Sequence, residues 1–373
     1  MKTTDLLIEE LSTLNWSGAR LTLAAHFIIG VIKLNTANLV RLALAFENDV
    51  EAESNYKRLQ RFLRHFEMDF SALAQFIARR LPKEPWVLCL DRTMWQVGKS
   101  NVNVLMLAIA YRGIAVPLMW TVMEKKGNSN TDERITLLKR FLQLFGQHRI
   151  AYLTADREFR GREWLDFLIT ASIPFRLRIP NNTRLKNRYR NRSLPATRLF
   201  PLKVGEVMTF KQPRAVWGIP VYLGAVRTPS EHAIIIANTY TPTLVADYAR
   251  RWEIETLFGC LKSRGFDMEC TRLRDPERLS KLLALLAIAF AWCYRVGLWR
   301  ARLKPIRRLK HSRPALTGFR YGLDYLNRVL HNVQRMLDKL FTVLKLFSTE
   351  EGGAAHKFIM IVVGFVLYRA CAL

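Results

Sequence analysis

The stretch that begins at Pro85 constrains the fold of this chain most. Three apolar runs, WVLCLD, VNVLMLAIAY and IAVPLMWTVM, follow one another with only short links such as GKSN and RG between them. Runs of this length bounded by polar or glycine-containing links read as adjacent strands joined by tight turns. An alternation follows: a helix over 131–145, the strand IAYLTAD ending at Asp156, a helix over 162–171 and the strand FRLRI. Three adjacent strands and then helix, strand, helix, strand predict an α/β sheet with an antiparallel start.

The flanks are different. Residues 1–82 carry helical periodicity over 6–14, 21–33, 36–46, 56–66 and 71–81,. After FRLRI, from residue 181 to 232, the rhythm breaks into NNTRLKNRYRNRS, GEVMTF and RAVWGIPVYLGAV. These pieces read as a mostly β insertion, and HAIIIANT as a strand returning to the sheet. Beyond a helical stretch at 247–266 come an apolar helix over 279–300, the cationic connector ARLKPIRRLKHSR, and a closing helix pair or one long helix over 321–347. The expected organisation is a helical segment 1–82, a core in two parts (83–180 and 233–300) around the insertion 181–232, and a helical region 301–373.

A net charge of +27 points to a polyanionic partner, of which nucleic acid is the commonest,. A membrane surface is the competitor. It is disfavoured because the basic residues are spread through all segments and not gathered on one amphipathic helix. MKTTDLLIEEL lacks the apolar run of a signal peptide,. The apolar runs at 282–294 and 358–368 are shorter than the ~20 residues that span a bilayer, and the first reads as a buried helix,. The five cysteines, Cys89, Cys260, Cys270, Cys293 and Cys371, show no CxxC spacing. They read as reduced thiols of a cytoplasmic protein, with no zinc site. On α-helical geometry of ~100° per residue, Tyr248, Arg251, Glu255 and Lys262 share an arc of about 60° beside an apolar stripe of Ile254, Leu257, Phe258 and Leu261,. Asp91 and Asp156 each close an apolar strand. Two such carboxylates on neighbouring strands, with Glu255 on a helix packed across them, can converge and suit hard divalent cations. Arg58, Arg61 and Arg64 recur along one side of a helix, a pattern suited to DNA phosphates,.

The spacing Y-x2-R-x3-E-x6-K, filled by Tyr248, Arg251, Glu255 and Lys262, resembles the YREK signature of DDE transposases in the IS-four family of bacterial insertion sequences. The segments around Asp91 (LDRTMWQVGKSNVNVLMLAIAYRGIAVPLMW) and Asp156 (LTADREF) resemble that family too, as do IETLFGCLK and LSKLLALLAIAFAW. The resemblance implies a ribonuclease-H-like core interrupted by a β insertion. It implies Asp91, Asp156 and Glu255 as a catalytic, metal-binding triad for two magnesium ions, with manganese as a substitute. It makes Tyr248, Arg251 and Lys262 contacts to the element's end DNA. Arg188 and Arg190, in the basic run NNTRLKNRYRNRS of the insertion, are further candidate DNA contacts. Trp217 is the nearest counterpart of a base-stacking tryptophan used by hairpin-forming relatives, and is equally a core residue. The implied activity is binding of terminal inverted repeats, magnesium-dependent end cleavage and joining of the 3′ hydroxyl to target DNA. A homodimer on double-stranded DNA in the bacterial nucleoid goes with it. The alternatives are a metal-dependent nuclease or resolvase without strand transfer, and an inactive DNA-binding remnant.

Overall fold

A computed structural model describes residues 3–186, 193–310 and 313–348. Five helices come first: α1 (Thr3–Leu11), α2 (Gly18–Leu34), α3 (Leu39–Leu44), α4 (Ala52–His65) and α5 (Phe70–Ala78). Short polar side chains set where some of them begin. Asn38 accepts from the Val40 and Arg41 amides to open α3, and Asp69 accepts from those of Ser71 and Ala72 to open α5,. The predicted helix over 36–46 therefore starts only after its cap.

The sheet is built from β1 (Trp86–Val97), β2 (Ser100–Tyr111), β3 (Ile114–Met123), β4 (Ile150–Ala155) and β5 (Phe175–Ile179), with α6 (Thr131–Phe145) and α7 (Arg162–Thr170) between the later strands. β1 to β3 form an antiparallel meander, and β4 and β5 run parallel to β1 in the spatial order 3-2-1-4-5. This is the ribonuclease-H-like arrangement expected of the chain.

The next elements are β6 (Arg184–Lys186), β7 (Ser193–Pro195), β8 (Val207–Thr209), β9 (Arg214–Val216), β10 (Ile219–Arg227) and β11 (His232–Ala237). β6 and β7 pair as a separate hairpin, but β11 pairs with β5, β10 with β11 and β8 with β10. The insertion thus prolongs the main sheet to nine strands, with β9 attached to β10. Its strands satisfy the edge that β5 would otherwise leave open.

Two sequence expectations change here. β1 does not end at Asp91: it continues to Val97, paired with β2 down to the Val97–Ser100 position. What ends just before Asp91, at Leu90, is the pairing with β4. The stretch 247–266 is not one helix but α8 (Leu244–Ala249) and α9 (Trp252–Leu261). At the junction the amides of Arg251, Glu253 and Ile254 bond the carbonyls three residues back, those of Tyr248, Arg250 and Arg251. This is the tighter winding of a 3₁₀ turn, in which residues three apart eclipse one another. The helix stops at Leu261, where Lys262 leaves helical geometry and the chain folds back so closely that a Cβ on Gly265 would lie 2.0 Å from the Cys260 carbonyl oxygen.

α10 (Pro276–Leu303) is the spine of the molecule, followed by α11 (Gly318–His331) and α12 (Leu337–Ser348). The closing segment is thus a helix pair. At 28 residues α10 is longer than its apolar run suggests, and by length and composition it could cross a membrane. In this protein its apolar residues are covered by β3, α2, α4, α5, α11 and α12. α11 is also tied to α2, since the Asn327 amide donates to the carbonyls of Ile32 and Lys33. The apolar run at 358–368 and Cys371 lie outside the described residues.

α10 and α11 cross in near backbone contact. A Cβ on Gly322 would fall 1.8 Å from the Cys293 carbonyl oxygen, and one on Gly297 1.8 Å from that of Gly318. Backbone cannot yield as a flexible side chain can, so the helices must separate to admit a methyl group. Gly322→Ala is expected to cost about 3 kcal/mol, the upper end of overpacking penalties, measured by urea unfolding. A midpoint equal to that of the unaltered protein would show that the crossing is loose.

Candidate active site

Strand register places the two aspartates. Leu90 pairs with Ala155 at the end of the parallel β1–β4 ladder. The next residue on each chain, Asp91 and Asp156, therefore emerges side by side. Glu255 arrives from α9, which packs across β1, β2 and β3.

One helical junction ties all three carboxylates together. The Arg251 guanidinium donates to Asp91 Oδ2 through Nη1 at 3.0 Å and to Glu255 Oε1 through Nη2 at 2.6 Å. The Tyr248 hydroxyl, eclipsed with Arg251 by the 3₁₀ turn, donates to Asp156 Oδ1 at 3.3 Å. Arg251 is only 5% exposed, and its Nε is buried with no partner. Burial alone would disfavour its charge, but Tyr248, the Glu255 hydrogen bond, Asp91 and Asp156 outweigh it and hold the guanidinium protonated,. Burial also raises the Tyr248 phenol above its usual range, which keeps it a neutral donor.

Asp91 shows the opposite balance. Burial pushes its carboxyl up to about 7, although Arg251 and the Arg92 amide pull the other way. A carboxyl so hard to ionise beside a cation is still short of positive charge. The donor set is all oxygen, with no His or Cys in it, and an added divalent cation fits that deficit. With the Arg251 guanidinium between Asp91 and Glu255, the carboxylates do not close on a common point. Among the described residues no group of three or more His, Cys, Asp or Glu is gathered closely enough to hold an ion.

A second layer of charges fixes the segments that carry the aspartates, and sequence reasoning missed it. Arg92, next to Asp91, makes a bidentate pair with Glu158, two residues after Asp156, with both N–O distances at 3.1 Å. It also donates to the amide oxygens of Asn103 and Asn128. Arg178 on β5 lies 3.9 Å from Asp156 and 2.5 Å from Glu231, and its hydrogen bond holds the Glu231 carboxyl below its usual range. The signal lay in LDR and DREF, where a charged residue directly follows each aspartate.

Lys262 is fastened to the far half of β1. Its ammonium donates to the Met94 carbonyl at 3.0 Å, pairs with Glu269 at 2.8 Å and lies 5.6 Å from the Trp95 ring. Arg58, Arg61 and Arg64 sit on α4, outside this cluster. Arg61 and Arg64 are exposed and Arg58 is half-buried. Arg58, Arg61, Arg20 and His65 rim a groove of ≈ 480 Å³ between α2 and α4, backed by Phe62 and Phe66. Trp217 occupies the tight β9–β10 turn, where it and Gly218 both take positive φ, and its half-buried ring packs on the core. Trp252, beside Arg251, is far more open at 61% exposure. Arg188 and Arg190 lie outside the described residues.

A family model described as the transposase DDE domain matches residues 82–292. That is more than half of the chain, and the chain belongs to this family. A comparison with curated proteins finds no match. Among solved structures it is similar to an endonuclease V from Bacillus subtilis, at 10% identity over 64% of this chain and 92% of that one, with a TM-score of 0.24. That likeness is too slight to bear on the chemistry.

The Arg92–Glu158 pair is largely buried, with side chains 10% and 21% exposed. Arg92→Met leaves Glu158 without its counter-charge and is expected to cost about 2–3 kcal/mol, somewhat below the loss from a fully buried pair. Lys57→Met breaks an exposed pair on α4 and should leave the urea midpoint unchanged,. Equal midpoints for the two variants would deny Arg92 its bracing role.

Proposed function

We propose that this DDE-family protein is the transposase of a bacterial insertion sequence of the IS-four type, with Tyr248, Arg251, Glu255 and Lys262 as its YREK residues. In this reading it binds the terminal inverted repeats of its element, cleaves the ends and joins the freed 3′ hydroxyl to target DNA. The observation that carries the reading is that one helical junction, through Arg251 and Tyr248, engages acidic residues from three separate elements: Asp91, Asp156 and Glu255.

Asp91, Asp156 and Glu255 would hold two magnesium ions, which when bound activate an attacking water and stabilise the leaving oxygen; manganese would substitute. The remaining work falls to the chain's own groups. Arg251 neutralises Asp91 and Glu255 while no DNA is present. Its guanidinium then passes to a phosphate of the end DNA, a partner with the same planar geometry. Tyr248 donates a hydrogen bond from its neutral hydroxyl to a phosphate oxygen, and Lys262 supplies a point charge beside β1. Arg92 and Glu158 keep the aspartate-bearing segments in register, and Arg178 does the same beside Asp156.

The helices of 1–82, with Arg58, Arg61 and Arg64, read the element end. The insertion, with Arg188 and Arg190, grips backbone. Phosphate contacts set register while base contacts set sequence. Cutting two ends together calls for two protomers, so the working form is a homodimer on DNA in the bacterial cytoplasm.

The test is cleavage and joining of DNA carrying the element's ends. Asp91→Asn, Asp156→Asn and Glu255→Gln should each lower magnesium-dependent cutting by at least about 100-fold, with end binding retained in a mobility-shift assay. Near-normal cutting by any one of them removes that residue from the active site. Hydrolysis of arbitrary duplex with no joined product would favour a nuclease over a transposase.

A further inference from the structure

The far end of α10 carries a concentration of charge that the active site does not use. From Arg278 to Leu323 the chain has eleven Lys or Arg residues and no Asp or Glu. After α10 the backbone doubles back on itself. Arg308 and Pro314 form a β-bridge, the Leu309 amide donates to the Arg313 carbonyl, and the Ala315 amide donates to that of Arg307. Cations therefore stand on both legs of a short arm, and Lys304, Arg307, Lys310 and Arg313 are all exposed. None of these four makes an ion pair among the described residues. The root of the arm is anchored. Arg300 stacks over the rings of Tyr321 and Tyr325 at 4.4 and 4.5 Å, and the Tyr321 hydroxyl donates to the Lys304 carbonyl.

The arm's place relative to the carboxylates follows from two tie points. Arg274, just before α10, lies against Gly98 at the tip of the β1–β2 hairpin, and Tyr294 bonds the Tyr111 carbonyl at that hairpin's other end. α10, which packs on β3, thus runs in the same direction as β2, away from the tip. Asp91 pairs with Met106, five residues before Tyr111, roughly 17 Å at ~3.4 Å per strand residue. The arm begins some ten residues beyond Tyr294, roughly 15 Å further at ~1.5 Å per helical residue.

We propose that Lys304, Arg307, Lys310 and Arg313 form a sequence-independent clamp on the phosphate backbone of duplex DNA, about 9–10 base pairs from the bond that is cut, at ~3.4 Å per base pair. The inference rests on the DNA-cutting reading above and adds a second, separate contact to it. The charge favours DNA. Four cations with no ion pair among the described residues stand on a narrow arm, Lys304 and Arg307 on one leg, Lys310 at the turn and Arg313 on the returning leg, and they match a polyanion without needing base contacts. The exposed Leu303, Leu309 and Leu316 would also suit an anionic lipid surface, which is the rival outcome of the test.

The experiment uses the full-length protein with Lys304→Gln, Arg307→Gln, Lys310→Gln and Arg313→Gln combined. These exposed sites leave the fold intact, as an unchanged thermal midpoint would verify. Binding to an arbitrary 40-base-pair duplex is followed by anisotropy between about 50 and 200 mM salt. Each phosphate contact adds about 0.9 to the slope of log K against log salt, so the variant's slope should be shallower by about 3–4. An unchanged slope overturns the proposal. So does unchanged DNA binding combined with lost binding to phosphatidylserine vesicles, which would assign the arm to a membrane. The readout is binding, so a protein that cuts nothing yet loses the slope keeps the clamp and sinks the transposase reading. A variant that cuts normally with its slope intact sinks only the clamp.

Discussion

The site depends on one buried cation. Arg251 is almost wholly removed from water, and a guanidinium in that position is tolerated only if carboxylates face it,. Its need for partners draws Asp91 from β1 and Glu255 from its own helix to one place. The arrangement is a compromise, because Asp91 remains reluctant to ionise and Arg251 keeps one N–H unpaired. Such an imbalance is poorly suited to a purely structural ion pair. It suits a site that exchanges one set of charges for another when its ligand arrives.

The sheet is what holds those charges to a fixed geometry. The parallel ladder between β1 and β4 ends at Leu90 and Ala155, so the two aspartates leave it together. β1 then continues with β2, which keeps Asp91 from swinging away. The insertion strands dock on β5 through β11, and Glu231, in the turn between β10 and β11, reaches back to Arg178 beside Asp156. The insertion is therefore joined to the site by backbone ladder and by an ion pair, more closely than a mere appendage would be.

Much of this was legible in the residues. The three apolar runs after Pro85 and the alternation that follows them specify the meander and the parallel strands, because period and punctuation are local properties. The aspartates were legible as strand-end carboxylates, though Asp91 turned out to sit within β1. A strand's end depends on which neighbour stops pairing, and the sequence of one strand does not carry that. The break between α8 and α9 was illegible for a similar reason. No Gly or Pro marks it, and both Arg250 and Arg251 keep right-handed backbone angles. Only the shift to hydrogen bonds that span three residues instead of four separates the two helices. Arg92 and Glu158 were visible as letters but not as partners, since 66 residues separate them.

The order of strands also has a consequence in time. Asp91 and Asp156 are brought together by the β1–β4 ladder, but Arg251 and Glu255 come later in the chain, beyond β11, which pairs with β5. A polypeptide still emerging from the ribosome, or one that stops within the insertion, holds the two aspartates without the arginine that faces them or the third carboxylate. The candidate site thus draws on residues from 91 to 255, and no shorter stretch of the chain holds all of it.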